Sequence, residues 1–408
     1  IYVQTMLDKN HSDTYALLEF DVSDFKLLNE IYGYQGGDQL LIKIMKICED
    51  DCHCDECCAR VNADRFILLW KMHDKNRIVE RFESLIEKIQ QTITNINDFK
   101  FTFFAGVYLI KKDDHEFTPC YDRCIHAKML GKKKKKDKCT FFNEGMCQMM
   151  LDEKRLENHM EKALEDHEFK VFLQPKVNLH DDVIYGAEAL VRWNSSVFGK
   201  IMPNKFIPLF EKNGFIEQLD MFVLDEVCKL LYRWKDKYPS LCISFNVSRA
   251  YIFRAGFAKR VLDIVKRNHV DPKKLEIEIT ESVIFDSSAD LYRVLEELHS
   301  YGFRISMDDF GSGYSSLNML KDIPIDTIKL DQAFFHTNEE NIMKAREIVG
   351  GVLDLAKRLG IHSVAEGIEE KEEILFLKEH DCDEVQGYYY SPPICEEEFE
   401  KFMNTYKK

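Results

Sequence analysis

The second half of the chain alternates short apolar runs with longer stretches in which apolar residues recur at helical spacing. The short runs are FKVFLQP, ISFNVS, LEIEITES, FRISMDD, DTIKLD, HSVAEG and DEVQGYYY. Runs of this length are typical of buried strands, and a helix after each strand is typical of a parallel sheet. Repeated over roughly 250 residues, this order predicts an α/β fold, a TIM-like (β/α)8 barrel.

The first half has a different pattern, in which strands and helices do not alternate regularly. Three strands are predicted, at Tyr15–Asp21, Arg65–Trp70 and Phe99–Ile110. Helical spacing covers Phe25–Tyr32 and Gln39–Ile47, with the turn GYQGGD between them. Together they predict an α+β domain with an antiparallel or mixed central sheet and flanking helices.

The two patterns meet near the lysine run GKKKKKDK, which we interpret as a solvated loop. A helix is predicted after it, from about Gln148 to Asp166, with apolar residues at near-helical spacing. We therefore predict one domain over residues 1–145 and a second over residues 149–408.

Composition limits the possible functions. The formal net charge of the 408 residues is -15, which argues against general nucleic-acid binding, because that function requires a basic face. The 13 cysteines form no disulfide framework, so we expect free thiols in a cytoplasmic, reducing compartment. No apolar run approaches the roughly 20 residues of a membrane span. Because the sequence begins with Ile1, we expect a trimmed N-terminus, and the full-length protein could carry a membrane anchor upstream.

Polar side chains mark the end of each predicted barrel strand. In chain order these residues are Glu188, Asn246, Glu278, Asp308, Asp309, Lys329, Glu366 and Gln386. The carboxyl ends of barrel strands converge on one face, so we expect these side chains to meet in one pocket. The alternative, that they are unrelated surface charges, becomes weaker with each additional strand.

Five carboxylates in one pocket repel each other unless cations lie between them. Oxygen ligands suit Mg²⁺ or Mn²⁺, and the pair Asp308–Asp309 suits two ions about 3.5–4 Å apart. Such a pair supports in-line attack of water on phosphorus, with Lys329 holding the water or neutralising charge. These residues predict a two-metal phosphoryl-transfer site.

The same residues lie in motifs that resemble those of EAL-domain phosphodiesterases, which open cyclic di-GMP to linear pGpG. The motifs are EALVRW, NVS, EITES, DDFGSGYSS, IKLD, AEGIE and QGYYYSPP, and the resemblance covers about Leu151 to Lys408. It implies two Mg²⁺ or Mn²⁺ ions per active site, held by Glu188, Asn246, Glu278, Asp308, Asp309 and Glu366. The catalytic residues that it implies are Lys329, Glu281, Glu366 and Glu369.

The resemblance also implies contacts to the substrate and to a second subunit. Gln174, Leu190, Arg192 and Gln386 match substrate-binding positions. Glu281 matches the acid that anchors the glycine-rich loop over residues 310–316, and Glu369 matches an acid that supports the ligand residues. In this family that loop ties assembly to activity, so a homodimer through the EAL domain is expected.

The stretch EFDVSDFKLLNEIYGYQGGDQLL in the first half resembles a GGDEF domain, the diguanylate cyclase fold. The resemblance implies that Asp21 and Asp64 match metal ligands and that Asn29 and Asp38 match guanine-reading residues. A bound GTP is therefore expected as a possible regulator of the second domain. The alternative is an inert dimerisation module.

The signature of the GGDEF family is altered in this chain, which has RVNADRF at that position. Asn62 and Ala63 replace two glycines that let the backbone approach a triphosphate, and Ala tolerates such turns poorly. Arg65 replaces the catalytic acid with a cation. We therefore expect a degenerate domain without cyclase activity.

Sequence reasoning thus predicts a metal-dependent cyclic di-GMP phosphodiesterase with a regulatory domain in front of it. A catalytically silent cyclic di-GMP receptor is the alternative from a different class. The cluster CHCDECC, Cys52 to Cys58, admits a zinc or redox site, but a loop of free thiols is the favoured interpretation.

Overall fold

The computed structural model describes residues 2–8, 15–23, 25–62, 64–93, 102–134, 138–285, 289–311, 320, 323–335 and 342–406. The chain forms two compact units, Ile1–Lys154 and Arg155–Lys408. One helix, Glu144–Glu165, runs through the predicted boundaries at 145 and 149, and these boundaries stay predictions. No helix among the described residues is long and apolar enough to cross a membrane.

The first unit contains a five-stranded sheet with the order β2-β3-β1-β4-β5. Its pairings are antiparallel except that β4 and β5 are parallel, which confirms the predicted mixed sheet with flanking helices. The strands are β1 Ala16–Val22, β2 Cys57–Asn62, β3 Arg65–Trp70, β4 Phe103–Leu109 and β5 Cys139–Phe141. The helices are α1 Tyr2–Asp8, α2 Phe25–Asp51, α3 Lys75–Ile93, α4 Phe117–Lys134 and α5 Glu144–Glu165.

The central strand β1 is buried on both faces, because successive side chains of a strand point to opposite sides. Leu18 and Phe20 join one apolar cluster, together with Phe82 of α3. Leu17 joins a second cluster, together with Cys124 of α4. The sheet therefore has an apolar core on each side, which explains its continuous apolar runs.

Helix α2 contains the turn that the sequence predicts between two helices. Gly33 is its non-helical residue, with φ 73° and ψ 162°. A backbone with positive φ favours glycine, which has no Cβ to clash. The observed break is therefore one residue inside a long helix rather than a separate loop.

The second unit contains a nine-stranded sheet with the order β6-β14-β13-β12-β11-β10-β9-β7-β8 and a further pairing of β6 with β7. That pairing closes eight strands into a barrel and leaves β8 outside, which confirms the predicted TIM-like barrel. The strands are β6 Phe169–Asn178, β7 Ile184–Ser195, β8 Gly199–Ile201, β9 Cys242–Asn246, β10 Leu275–Thr280, β11 Arg304–Phe310, β12 Thr327–Leu330, β13 His362–Ala365 and β14 Glu384–Val385. The helices are α6 Pro203–Asn213, α7 Ile216–Trp234, α8 Arg249–Ile252, α9 Phe257–Arg267, α10 Glu281–Phe285, α11 Ala289–Tyr301, α12 Ile342–Leu359, α13 Lys371–Glu379 and α14 Glu396–Tyr406.

One barrel strand departs from the regular parallel order. β6 pairs antiparallel with both of its neighbours, β7 and β14. Only residues 179–183 connect β6 to β7, and a connection this short makes a hairpin rather than a parallel crossover. The carboxyl end of β6 therefore lies at the opposite mouth from the ends of the parallel strands.

The barrel interior is polar, whereas the layer between barrel and helices is apolar. In β10, Leu275, Ile277 and Ile279 belong to the large apolar core that includes the surrounding helices. The alternate residues Glu276 and Glu278 form ion pairs with lysines of other strands. Charged side chains thus occupy a space that branched apolar residues fill in most barrels of this type.

Candidate active site

Lys329 lies at the centre of the acidic cluster at one mouth of the barrel. Its side chain is 1% exposed, and its Nζ contacts four carboxylates. The distances are 2.7 Å to Glu366, 2.8 Å to Glu278, 2.9 Å to Asp308 and 3.4 Å to Glu188. Residues that are about 180 positions apart in the sequence therefore meet at one cation, as the strand-end pattern predicts.

The neighbouring acids Asp308 and Asp309 both reach this cluster because β11 is irregular there. In a regular strand, successive side chains point to opposite faces. The pairing of β11 with β12 shifts register between Met307 and Phe310, and Asp309 adopts a φ of 57°. Ligand atoms of Asp308, Asp309 and Glu366 consequently lie within 4.8 Å of one another.

Glu188 is held by amide side chains as well as by Lys329. It lies in the middle of β7 rather than at its end, because that strand continues to Ser195. Asn246 Nδ2 donates to Glu188 Oε1 at 3.0 Å, and Gln386 Nε2 donates to Glu188 Oε2 at 2.5 Å. Gln386 also donates to Gln174 Oε1 at 3.0 Å. The structure thus joins three predicted amide residues to one predicted ligand.

The cluster carries more negative charge than its lysine neutralises. Burial raises the pKa of Glu366 to about 8, and Asp308, Glu188 and Glu278 raise it as well, although Lys329 lowers it. Burial and Asp308 raise the pKa of Asp309 to about 6. Burial on its own would raise the pKa of Glu278, but Lys329 and Lys176 lower it to about 2. Glu366 therefore holds a proton near neutral pH unless a further cation lies beside it.

The donor set fits a divalent cation. Asp308 Oδ1 is buried and, among the described residues, receives no hydrogen bond, although Lys329 lies 2.9 Å away. An oxygen without a hydrogen bond beside two further carboxylates suits a hard cation that prefers oxygen ligands. Mg²⁺ and Mn²⁺ are the usual ions for such a set.

Two of the predicted substrate residues line a cleft of about 260 Å³ beside the cluster, together with Asn246. Leu190 and Arg192 come from β7 and are half-buried. Arg192 Nη1 donates to the carbonyl of Val191 at 2.9 Å, which leaves further guanidinium N–H groups for a ligand. Burial lowers the pKa of Arg192, but an arginine remains charged in proteins.

Glu281 and Glu369 lie outside the group of acids around Lys329. Glu281 is buried at the start of α10, and its Oε2 accepts the N–H of Gly311 at 2.8 Å. It therefore holds the first residue after β11, where the predicted glycine-rich loop begins. Glu369 is exposed, and its backbone N–H donates to Glu373 at 3.0 Å. Residues 312–316 of the predicted loop lie outside the described residues.

In the first unit, the predicted metal ligand Asp21 contacts lysines. Lys128 Nζ lies 2.9 Å from Asp21 Oδ2 and 2.8 Å from Glu19, and Lys132 Nζ lies 3.4 Å from Asp21 Oδ1. Arg65 pairs with Asp21 across β1 and β3. Positive side chains thus surround the position where the sequence predicts a cation.

The other residues of the first unit that are predicted to bind a nucleotide lie in α2 and in the turn between β2 and β3. Asn29 lies in α2 against Gly37, where an added Cβ would come 2.0 Å from Asn29 Oδ1. Asp38 is exposed on the same helix, and Asp64 is half-buried between β2 and β3. Ala63 lies outside the described residues.

The cysteine-rich stretch Cys52 to Cys58 gathers no group of three metal-ligand atoms among the described residues. All of its cysteines are free thiols. Burial raises the pKa of Cys57 to about 11 and that of Cys58 to about 12, so both remain protonated near neutral pH. Protonated thiols are poor metal ligands and poor nucleophiles.

Sequence reasoning missed two charged residues inside the barrel, Lys176 and Glu276. Lys176 Nζ lies 3.1 Å from Glu278 Oε1 and 3.5 Å from Glu276 Oε1. A signal was present, because LEIEIT places two acids at alternate positions in a strand that parallel packing buries on both faces. Acids that alternate with apolar residues in such a strand indicate a polar barrel interior.

Two protein families match this chain. The family described as "EAL domain" matches residues 157–393, and "Diguanylate cyclase, GGDEF domain" matches residues 2–138. The chain is 31% identical, over 93% of its length, to the bifunctional diguanylate cyclase/cyclic di-GMP phosphodiesterase MucR of Pseudomonas aeruginosa, of which it covers 56%. It is 28% identical, over 96% of its length, to the cyclic di-GMP phosphodiesterase NbdA of the same species, of which it covers 50%. The chain thus spans about half the length of these curated relatives.

A solved structure is also similar to the second unit. The PaMucR phosphodiesterase in its c-di-GMP complex is 33% identical, with a TM-score of 0.57. The match covers 60% of this chain and 99% of that one.

Proposed function

This chain belongs to the EAL-domain family and carries a GGDEF domain ahead of the barrel, and we propose that its barrel hydrolyses cyclic di-GMP to linear pGpG. The observation that carries the proposal is the complete acidic cluster around Lys329, with Asp308, Asp309 and Glu366 gathered within 4.8 Å. A related phosphodiesterase that is similar over the barrel binds cyclic di-GMP. The substrate and the chemistry therefore follow from the same part of the chain.

The acids and the amide of the cluster would hold two divalent cations, Mg²⁺ or Mn²⁺. The residues in this role are Glu188, Asn246, Glu278, Asp308, Asp309 and Glu366. Such ions lower the pKa of a bound water and neutralise charge on a phosphodiester. The protein contributes a fixed set of oxygens, because the ion pairs and hydrogen bonds described above already orient the side chains.

Lys329 acts as a donor in this reaction. Burial opposes its charge, but Glu188, Glu278 and Glu366 hold its pKa well above the usual value, so it remains an ammonium. An ammonium donates hydrogen bonds and cannot accept a proton from water. Lys329 therefore orients the attacking water and stabilises charge on the phosphoryl oxygens.

The reaction breaks one of the two phosphodiester bonds in the cyclic substrate. Water attacks phosphorus in line with the leaving 3′-oxygen, the P–O3′ bond breaks, and the 3′-oxygen takes up a proton. The product is a linear dinucleotide with one 5′-phosphate, pGpG. Arg192 and Leu190 beside the cluster would bind the rest of the substrate, and Gln174 and Gln386 would hold Glu188 and the phosphate in place.

The test is the conversion of cyclic di-GMP to pGpG with Mg²⁺ or Mn²⁺, followed by chromatography. We expect Glu188→Ala to abolish turnover, because it removes a ligand that Lys329, Asn246 and Gln386 all orient. Glu296→Ala is the matched control, since Glu296 is an exposed acid on α11. Turnover by Glu188→Ala at the wild-type rate would rule out the metal assignment.

The second candidate function is a cyclic di-GMP receptor without turnover. The same protein preparation separates the two functions. Binding of cyclic di-GMP by calorimetry with no pGpG after prolonged incubation with Mg²⁺ and with Mn²⁺ would favour the receptor.

For the first unit we propose a regulatory role without cyclase activity. Arg65 lies across from Asp21, and Lys128 and Lys132 contact that aspartate, so the local charge is unlike that of a site that activates a 3′-hydroxyl. Asn29 and Asp38 would read the guanine of GTP, with Asp21 and Asp64 near its phosphates. Calorimetry with GTP and the phosphodiesterase rate across millimolar GTP test this role, and Asn29→Ala is the variant that should lose both effects.

A homodimer through the barrel unit is also part of the proposal. Light scattering of the full chain at several concentrations measures it directly. A mass equal to one chain at every concentration would exclude it.

A further inference from the structure

The barrel has a second mouth, at the end opposite the acidic cluster. A cavity of about 310 Å³ lies there, and it is lined by the first residues of several parallel strands. Arg304 begins β11, His362 begins β13 and Glu384 begins β14. Because β6 runs antiparallel, its last residue, Asn178, lies at this mouth too. We call this cavity the N-terminal mouth.

The lining of the N-terminal mouth is rich in cations, although the whole chain carries a formal charge of -15. Four basic side chains, Lys176, Lys273, Lys274 and Arg304, face two acids, Glu276 and Glu384. Two of the cations are therefore in excess before His362 is considered. A local excess of positive charge in an acidic protein attracts small anions.

The deepest of these cations, Lys176, is neutralised by the barrel itself. It is 4% exposed and lies between Glu276 and Glu278. Lys176 thus forms the positive floor of the cavity, and its charge is already matched.

The two cations at the rim, Arg304 and Lys273, are not matched in this way. Among the residues that the structure describes, neither side chain has a hydrogen bond or an ion pair to another residue. Lys274 is committed in part, because its Nζ donates to the carbonyl of Pro239 at 2.5 Å. Arg304 is the first residue of β11, and it pairs with Glu276 of β10. This pairing fixes the backbone of Arg304 at the mouth.

We propose that the N-terminal mouth binds a small anion, a molecule that carries a phosphate or carboxylate group, through Arg304 and Lys273. A guanidinium matches the two oxygens of such a group, and hydrogen bonds between opposite charges are stronger than neutral ones. The hydroxyl of Ser240 lies on the same lining and can donate to a further oxygen. The volume lies at the small end of ligand cavities, so it suits a small metabolite rather than a dinucleotide.

The test uses the full chain, freed of divalent metal with a chelator and titrated with inorganic phosphate by calorimetry. Without metal, the acidic cluster repels phosphate, so binding reports on other sites. We expect saturable binding of one phosphate per barrel, weakened about tenfold or more in Arg304→Gln through the loss of a charge-assisted contact. Arg293→Gln is the matched control, since Arg293 is exposed on α11 away from this cavity.

Two further arms keep the result unambiguous. Lys132→Gln removes a cation next to Asp21 in the first unit and should leave phosphate binding unchanged. Acetate in place of phosphate distinguishes a carboxylate ligand from a phosphate ligand. The Mg²⁺-dependent turnover of Arg304→Gln should equal that of the wild type, which shows that the barrel is intact. If the variant does not fold, Lys273→Gln on the exposed rim provides the same measurement.

Three results would overturn the proposal. One is the absence of binding of either anion at millimolar concentration. Another is binding that is unchanged when Arg304 and Lys273 are both replaced by Gln. The third is binding that Lys132→Gln abolishes and Arg304→Gln does not.

Discussion

At the scale of single residues, the geometry of the acidic cluster depends on one unusual backbone angle. Asp309 has a φ of 57°, a conformation that costs an aspartate little compared with bulkier residues. The register shift at the same place brings its carboxylate to the side of Asp308. Two successive residues can therefore serve one cluster, which a regular strand would not allow.

The pKa shifts of this cluster predict how the stability of the metal-free protein changes with pH. Glu366 has a pKa of about 8 in the folded protein against 4.5 for an ordinary glutamate, so the folded state holds a proton that the unfolded chain releases. The contribution of Glu366 to the free energy of unfolding is therefore fully present below about pH 4.5 and is lost as the pH rises to about 8. Denaturant titrations of chelated protein from pH 5 to pH 8 measure it.

Saturating Mg²⁺ is the control for that titration. A bound cation replaces the proton, so the fall in stability with pH should disappear when the ion is present. A stability of the chelated protein that rises steadily from pH 5 to pH 8 would contradict the assignment.

A second prediction for single residues concerns the stability and the turnover of the Lys329→Met variant. Four carboxylates would lose their shared cation, and removal of one partner from a buried ion pair costs about 3–5 kcal/mol. We expect a lower denaturation midpoint in the chelated protein, a partial recovery with Mg²⁺, and no turnover in either condition. Lys200→Met on the exposed β8 is the matched control. Equal midpoints for the two variants would show that Lys329 does not hold the cluster together.

The residues at the strand ends could be predicted because a polar side chain after an apolar run is conspicuous. Asn246, Lys329 and Gln386 were found in this way, and the structure places all three at one mouth. The register shift in β11 could not be predicted, because it depends on how β12 pairs with it in three dimensions.

At the scale of elements, the end of β11 is tied to the start of α10. Gly311 has a φ of 95°, and an added Cβ would lie 2.1 Å from the ring of Phe334. Its N–H donates to Glu281 at the start of α10. One hydrogen bond therefore links the strand that carries two acids to the helix that follows the neighbouring strand β10. The ring of Phe334 leaves no space for a larger residue at Gly311.

This link predicts a graded series of variants at Glu281. Glu281→Gln keeps an oxygen that accepts the Gly311 N–H, whereas Glu281→Ala leaves that N–H without its partner. We expect kcat to fall slightly in the first variant and at least tenfold in the second, with Glu296→Ala as an acidic control on the exposed side of α11. Equal losses in the two Glu281 variants would mean that the charge, and not the hydrogen bond, is what matters.

Strands and helices could be predicted where the apolar pattern is strong, but the direction of a strand within the sheet could not. Arg65–Trp70 was predicted as a strand and is β3 with the same ends. FKVFLQP was predicted as one more strand of a repeating parallel series, yet β6 runs antiparallel. The apolar pattern is the same in either direction, and only the length of the connection to β7 distinguishes them.

At the scale of the whole molecule, the barrel is held from inside by charges. Glu278 is fully buried and contacts Lys329 with one oxygen and Lys176 with the other, at 2.8 and 3.1 Å. The first lysine belongs to the acidic cluster and the second to the N-terminal mouth. A single carboxylate thus connects the two ends of the barrel.

Lys176→Met tests how much this arrangement contributes to stability. Glu276 and Glu278 would lose the cation between them, and we expect a loss of about 3–5 kcal/mol in the free energy of unfolding. Chemical denaturation, with Lys170→Met as the control on an exposed position of β6, measures it. A loss below about 1 kcal/mol, the size of a surface pair, would show that these buried charges hold the barrel weakly.

The reversed direction of β6 also bears on how the barrel is made during translation. One edge of β6 can pair with β7 as soon as both strands have left the ribosome. The other edge pairs with β14, and Leu173 of β6 also forms backbone hydrogen bonds with Ile394, so this edge stays open until the end of the chain has been synthesised. About 200 residues must be synthesised in between, and an open strand edge invites pairing with other chains during that delay. Nascent chains that stall before the last strand should therefore depend on chaperones, whereas completed chains can close their own ring.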